Sequence, residues 1–511
     1  MIKRQIESLF TVLTIESRKK ELIEPKGFRL KLNKWKTSGK TTLLANLGSF
    51  TSHCNCHCKV CYLKGSPLWK SYILTEEKAM TRIKYYSPRE QKGLFNETYE
   101  YGEPFLNPSL LKILRMARLK SPNEVFYPII TNGTFLNETT VRALTKLQPL
   151  ILDVSLNSII PETRKKLMGG LNHEAAINSV GLLKKYKIPY RGTIIAWPEI
   201  PLSEIEATIK YLDENDAQVI AIYPPGYTRF NKSNYTLKQM DNHWRKLMDF
   251  YHSIRKVVET PIIFSPSSYW NKDIRAVIDG VIRNSPAHRL GIKAGDIILE
   301  INDTPVYSKE VARIELIRPQ NSHGFYRRKI RVLRNNKNIF TFEIEEFSQK
   351  QYDAFPYKPS GFYPDPTFPF GIFLVETLHL SYFKKIKEII ELYKPKSVVL
   401  FVSKVMKPQV DLILEHVKTN EVFGNVRVKF KLMKNLYWGG NIMLGDLMMV
   451  DDFIELIETD PEIQLNPPDL IIIPSSFLIK WGRDYTGRCF TEIERKTGIK
   501  IILLPCKTIQ T

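Results

Sequence analysis

Four apolar runs recur at 125–133 ("VFYPIITNG"), 149–158 ("PLILDVSLNS"), 190–198 ("YRGTIIAWP") and 218–226 ("QVIAIYPPG"), each ending in small or polar residues. The segments "ETTVRALTKL", "NHEAAINSVGLLKKYKI" and "SEIEATIKYLDEN" lie between them and have helical character. Strands joined through a helix cannot form hairpins. They lie parallel, with the helices covering the sheet, so this part of the chain is constrained to βαβ units. The amphipathic stretch "TLKQMDNHWRKLMDFYHSIRKVV" closes it.

The pattern then changes. "AVIDGVIRNSPAHRLGIKAGDIILEINDTPV" (276–306) has short strands, a Ser-Pro-Ala turn and a Gly-Asp turn, and resembles a PDZ domain of the bacterial protease type through "NIFTFEIEE". A Pro- and aromatic-rich linker, "FPYKPSGFYPDPTFPF", follows. Strand-like "KSVVLFVS" (396–403), "NVRVKFKLM" (425–433), "DLIIIPSS" (469–476) and "IKIILLP" (499–505) then alternate with helical segments at 407–421, 446–458 and 489–497.

With 511 residues, 43% of them hydrophobic, the chain can bury two to four separate cores. No apolar run approaches the roughly eighteen residues of a membrane span. The N-terminal "MIKRQIESLFTVLTIESRKK" has a short apolar patch ended by Glu16 and Arg18, with no small-residue cleavage site. It is read as no signal peptide, which places the protein in the cytoplasm. The net charge of +22 attracts nucleic acid or anionic lipid without any dedicated site. Its Lys and Arg residues are interleaved with Glu and Asp, which favours a solvated basic surface over a nucleic-acid interface.

Four of the six cysteines, Cys54, Cys56, Cys58 and Cys61, fall within "SHCNCHCKVCYLKGS". A disulfide network does not suit thiols crowded onto one loop of an intracellular chain. A structural zinc site would pair the Cys58-x₂-Cys61 knuckle with a second knuckle, and none follows. The spacing C-x₃-C-x₂-C of Cys54, Cys58 and Cys61 suits three corners of a [4Fe–4S] cube, whose ligands are thiolates. The fourth iron is then open to an outside ligand. Cys56 reads as a spare thiol, and Cys489 and Cys506 as packing residues.

These residues resemble the signature of the radical S-adenosylmethionine (radical SAM) enzymes, C-x₃-C-x₂-C with an aromatic residue near the last cysteine. Tyr62 follows Cys61 here rather than preceding it. The resemblance implies that Cys54, Cys58 and Cys61 ligate a [4Fe–4S] cluster whose open iron is chelated by SAM. An electron from the cluster, supplied by an external donor, would cleave SAM to a 5′-deoxyadenosyl radical that abstracts hydrogen from substrate. Gly102-Glu103-Pro104 resembles the family's glycine-glutamate-proline motif, which meets the SAM amino group. Thr131 and Asn132 of "IITNGT", and Ser155 and Asn157 of "DVSLNS", match its third and fourth strand tips. Arg191 is a candidate for the SAM carboxylate. "TSGKTT" (37–42) is not a phosphate loop, because Lys34 stands where the first glycine belongs. No D-x-H-x-x-G occurs, so a cobalamin domain of the usual kind is not expected.

The implied architecture is α/β: a basic N-terminal extension (1–40), a partial (β/α)₆ radical SAM barrel (41–260), a small mostly-β PDZ-like domain (265–350) and a C-terminal α/β domain (365–511). "NLYWGGNIMLGDLMMVDDFIELI" (435–457) resembles a domain of unknown function fused to radical SAM and PDZ modules. In that family the PDZ module comes first; here it lies between two α/β parts. "YPPGYTRF" (223–230) resembles the turn that ends the family's radical SAM half, and the later acidic cluster is reduced to "GRDYTG" around Asp484. The Gly-rich segment reads equally as a packing turn or as a ligand-binding turn at a helix N-terminus. A PDZ fold takes an extended peptide by strand addition, which suggests a peptide or protein substrate docking on an edge around Ala276–Val281. RNA modification and a non-catalytic iron–sulfur carrier or sensor are the alternatives.

Overall fold

The computed structural model describes residues 49–59, 61, 65–67, 70–84, 102–120, 127–231, 235–264, 273–318, 326–347, 370–375, 377–379, 381–416, 422–478 and 482–506. The 1–40 extension, "TSGKTT", Tyr62, the residues just before Gly102 and 355–369 of the linker lie outside them. The described residues divide into two units, one holding 49–264 with 276–375 and the other 273–275 with 377–506.

In the first unit, helices α1 (Glu76–Lys84) and α2 (Leu110–Lys120) precede a regular alternation: β1 (Tyr127–Thr131), α3 (Glu138–Thr145), β2 (Leu150–Ser155), α4 (Pro161–Met168), α5 (His173–Lys185), β3 (Tyr190–Ile195), α6 (Leu202–Glu214), β4 (Val219–Tyr223), α7 (Leu237–Ile254) and β5 (Ile262–Phe264). The strands form a five-stranded sheet in the order β1-β2-β3-β4-β5, parallel throughout. Leu150 to Val154 are all buried, as a strand covered on both faces requires, which is why it reads as a continuous apolar run. Helix boundaries follow local chemistry. The Asn137 side chain accepts from Thr140 N at the start of α3, and Thr236 and Gln239 close a capping box on α7.

The smaller part of this unit contains β6 (Gly280–Val281), α8 (Pro286–Arg289), β7 (Ile297–Ile301), β8 (Thr304–Pro305), α9 (Lys309–Ile317), the hairpin β9 (Tyr326–Arg334) and β10 (Asn338–Phe347), and β11 (Ile372–Phe373). The strand expected to offer a docking edge, Ala276–Val281, is interior. On one side Ile278 N donates to Asp296 O and Ile298 N to Ala276 O, at 2.8 and 2.9 Å. On the other side β11 pairs with it antiparallel, Ile372 opposite Val281 and Phe373 opposite Gly280. The chain's own returning segment takes the place read for an incoming peptide. Phe370, Ile372 and Leu374 join one core with Ile278, Ile298 and Ile330.

A second apolar cluster joins this part to the sheet. Ile151, Val219 and Ile263, at the first or second residues of β2, β4 and β5, pack with Ile282, Phe373 and Val375. Arg283 adds ion pairs to Asp213 and Asp216 at 3.0 and 2.9 Å. These contacts lie at the N-terminal end of the parallel strands.

The other unit contains α10 (Ser381–Tyr393), β12 (Ser397–Val402), α11 (Lys407–His416), β13 (Arg427–Leu432), α12 (Val450–Thr459), α13 (Pro461–Leu465), β14 (Leu470–Pro474), α14 (Thr491–Thr497) and β15 (Ile501–Leu504). Its four strands are parallel in the order β13-β12-β14-β15. The N-terminus of α12 is filled from within. Asp452 accepts from Leu436 N, Tyr437 N and Met449 N, and the fully buried Asp484 accepts from Val450 N at 2.7 Å. The Gly-rich segment before it is therefore a packing turn, and Asp484 is structural. Burial lifts the Asp452 carboxyl to about 6 despite three backbone donors.

Candidate metal and cofactor site

The cysteine loop lies across the C-terminal ends of the parallel strands, and four separate segments grip it, three of them through its backbone. At its start, Glu103 N donates to His53 O at 2.8 Å. A Cβ on Gly102 would overlap the His53 carbonyl oxygen and stand 2.7 Å from the Ser52 carbonyl carbon, so only glycine allows this approach. Further along, His57 N and Lys59 N donate to Met168 O and Leu167 O, at 2.6 and 2.9 Å. Gly170, at φ +78°, leaves no room for a Cβ beside the Asn55 carbonyl oxygen. Asn231, held by the Thr228 hydroxyl, donates to the carbonyls of Lys59 and Cys61. The fourth grip is Asn132, whose amide donates to Asn55 Oδ1 at 2.8 Å and to Cys56 Sγ at 3.3 Å.

Within the loop, Cys54 is exposed, Cys56 buried, and Cys58 and Cys61 half-buried. The Cys56 thiol lies close to those of Cys54 and Cys58, and Cys56 N donates to Cys54 Sγ at 3.4 Å. Its bond with Cys56, then burial, pushes the Cys54 thiol well above the ordinary thiol range. Cys56 is lowered by Cys54, but its bond with Cys58, burial and the Cys58 charge together push it up to about 12. Crowded thiols of this kind resist ionising unless a cation shares their charge, as in metal–thiolate bonding.

Glu103 is 1% exposed and fully engaged. Its carboxylate accepts from the Thr131 hydroxyl and Asn132 N, both at 2.7 Å, and from Phe105 N at 3.3 Å. Burial nonetheless raises its pKa to about 7. Asn157 sits at φ 63°, accepts from Ile195 N at 2.8 Å and directs its amide at Met168 Sδ. Arg191 forms a buried ion pair with Asp153, which also accepts from the Thr193 hydroxyl at 2.6 Å. Thr131, Asn132, Glu103 and the thiols of Cys54 and Cys56 are thus brought together. Arg191 is engaged lower in the sheet, at the second residue of β3. Among the described residues the Ser155 hydroxyl, at the tip of β2, makes no hydrogen bond.

Arg164 on α4 escaped the sequence reading. "PETRKKLM" looks like a basic surface helix, and only Pro161 in its first turn announces it. Yet Arg164 is fully buried. Its guanidinium donates to the carbonyls of Ser155, Leu156 and Asn132, joining the tips of β1 and β2, while Nε stays buried without a partner. Burial lowers its pKa to about 10 against the opposing pull of Cys56, Cys58 and Glu103. A buried cation with no carboxylate in contact is costly unless negative charge gathers nearby.

Among the described residues no three His, Cys, Asp or Glu side chains already stand in metal-binding geometry. The fold supplies a gripped loop rather than a finished cage. The soft thiol donors, their half-exposed position at the strand tips and the buried guanidinium beside them fit an iron–sulfur cluster held by three cysteines.

Residues 49–212 match the Radical SAM superfamily and residues 277–323 match a PDZ domain. The chain therefore contains a radical SAM domain and a PDZ domain. Similar solved structures include Streptococcus suis SuiB bound to S-adenosylmethionine, at 16% identity over 48% of this chain and 57% of that one, TM-score 0.33. SuiB bound to precursor peptide SuiA follows at 15% identity, over 45% and 51% of the chains, TM-score 0.33. Methylornithine synthase (PylB) follows at 13% identity, over 52% and 86%, TM-score 0.28. The chain spans about half the length of the SuiB structures it matches. No curated protein matches the sequence.

Proposed function

We propose that this radical SAM enzyme holds a [4Fe–4S] cluster through Cys54, Cys58 and Cys61 and acts on a peptide or protein. With SAM bound, the cluster would supply the 5′-deoxyadenosyl radical that abstracts hydrogen from the substrate. The observation that carries this reading is the convergence of Gly102–Glu103, Asn132, Leu167–Gly170 and Asn231 on one thiol-bearing loop at the strand tips. The chain's own work is positional. Gly102 and Gly170 let the loop lie flat, Asn132 holds the Cys56 thiol by a hydrogen bond, and Arg164 offsets negative charge. Toward SAM, the Ser155 hydroxyl is the side chain left to read the ribose, and the backbone around Gly102–Pro104 the group to accept from its ammonium. Thr131 and Glu103 act by fixing that backbone, Asn157 by tying the turn after β2 to Ile195 of β3, and Arg191 by fixing Asp153.

The peptide reading rests on the PDZ domain. Because β11 covers the expected edge and the domain sits at the opposite end of strands about 16 Å long, it would recruit a substrate from a distance rather than line the reaction site.

Anaerobic reconstitution followed by iron and sulfide analysis tests the cluster. Cys54→Ala, Cys58→Ala and Cys61→Ala should each lose iron, and Cys56→Ala should keep it. Retention of a full cluster by any of the first three would overturn the ligand set. Mass spectrometry for deoxyadenosine and altered cellular peptides, after adding SAM and dithionite, tests the reaction. Modified RNA with unmodified peptides would replace the substrate class.

A further inference from the structure

The unit at 377–506 contains a cavity of about 70 Å³ that nothing in the radical SAM reading uses. It lies between α10 and the sheet, walled by Phe383, Ile386, Leu400, Val402, Met406 and Met433, and reaches the carboxyl ends of the strands at Ser403, Ser476 and Cys506. With the order β13-β12-β14-β15, the connection after β12 runs to one side and the connection after β14 to the other, so β12 and β14 flank a topological switch point. Crevices at that position of an open parallel sheet are where such folds bind ligands.

The lining specifies the chemistry. Its walls are aliphatic and aromatic, and its polar end is uncharged. The Ser476 hydroxyl lies buried beside the Cys506 thiol without a hydrogen-bond partner of good geometry. Burial first, and Asp446 nearby, push that thiol's pKa up against the opposing pull of Ser475 and Ser476. No Lys, Arg or His side chain lines it, and the N-terminus of α12 is taken by Asp452 and Asp484, so an anion finds no cationic partner. A single water takes about 10–15 Å³ on this scale of volume, so the cavity has room for a handful of non-hydrogen atoms. Gly445 roofs it closely: a Cβ there would stand 3.1 Å from Met433 Cε.

We infer that this cavity is a binding site for a small, uncharged, largely hydrocarbon molecule, or the hydrocarbon end of a larger one, with one hydrogen-bonding group that meets Ser476. The inference does not depend on the cluster, so it can fail or stand independently of the proposed reaction.

The test uses the full chain with methyl-¹³C methionine, titrated with phenol, benzene and benzoate and followed by NMR. Phenol should shift the Met406 and Met433 signals saturably, and benzoate should not. Ser476→Ala should weaken phenol about tenfold, the size of one hydrogen bond, and leave benzene unchanged. Val402→Trp should abolish both; should that variant misfold, slowed alkylation of Cys506 in the unmutated chain with phenol present supplies the same information. Absence of a saturable shift, binding of benzoate as tightly as phenol, or equal phenol affinity in Ser476→Ala would overturn the assignment.

Discussion

Gly102 and His53 touch backbone to backbone: Glu103 N reaches the His53 carbonyl at 2.8 Å, and no side-chain carbon fits between them. The glycine of the Gly-Glu-Pro segment therefore shapes the loop that carries the thiols. Gly102→Ala should displace Ser52–His53 at an overpacking cost of about 1–3 kcal/mol and lower the iron content after reconstitution. Full iron loading at an unchanged melting temperature would contradict this.

Glu103 makes the first unit sensitive to pH. Its pKa in the folded chain is about 7 against an ordinary 4.5. A carboxyl raised in this way contributes stability that is fully present below pH 4.5 and lost as pH rises through about 7. The loss is on the order of 3 kcal/mol. Melting temperature should fall between pH 5 and pH 8, and Glu103→Gln should flatten that fall. Asp452, raised to about 6, adds a change of the same sign in the other unit, which Asp452→Asn removes.

Arg164 should act on both stability and redox behaviour. Arg164→Gln would leave carbonyls at the tips of β1 and β2 without a donor, at about 1–3 kcal/mol for each left unsatisfied. It would also remove positive charge beside the thiols, so a reconstituted cluster should become harder to reduce. Redox titration separates the two effects: Arg164→Lys should restore much of the potential even where stability stays low. Equal potentials in Gln and Lys variants would assign Arg164 a purely structural part.

Lys309 and Asp279 form a buried pair at 2.6 Å, and Asp279 also accepts from Val375 N at 2.7 Å. Lys309→Met should strand a carboxylate and cost about 3–5 kcal/mol. Adding Asp279→Asn should recover part of that loss. Denaturant titration of the single and double variants measures the coupling.

The parallel strands were legible because burial on both faces leaves continuous apolar runs, as in 150–154. The thiols were legible because spacing on one loop is local information. Partners distant in sequence were not. Gly102 announces a close approach without naming Ser52–His53, and Glu103 shows no sign that Thr131 and Asn132 will occupy it. Arg164 sits among Lys165 and Lys166, and only the packing of α4 beneath the loop separates it from a solvated cation. Ala276–Val281 reads as an edge until residues 372–373, some ninety positions later, are laid beside it.

That last pairing bears on how the molecule is made. A ribosome that has released residue 347 has delivered the β9–β10 hairpin but not the strand that completes its domain. The lower rim of the sheet, at Ile151, Val219 and Ile263, also waits for Phe373 and Val375. Closing so long a loop comes late and slowly, so a truncation before residue 370 would release a chain with two unfinished surfaces, exposed to chaperones and proteases.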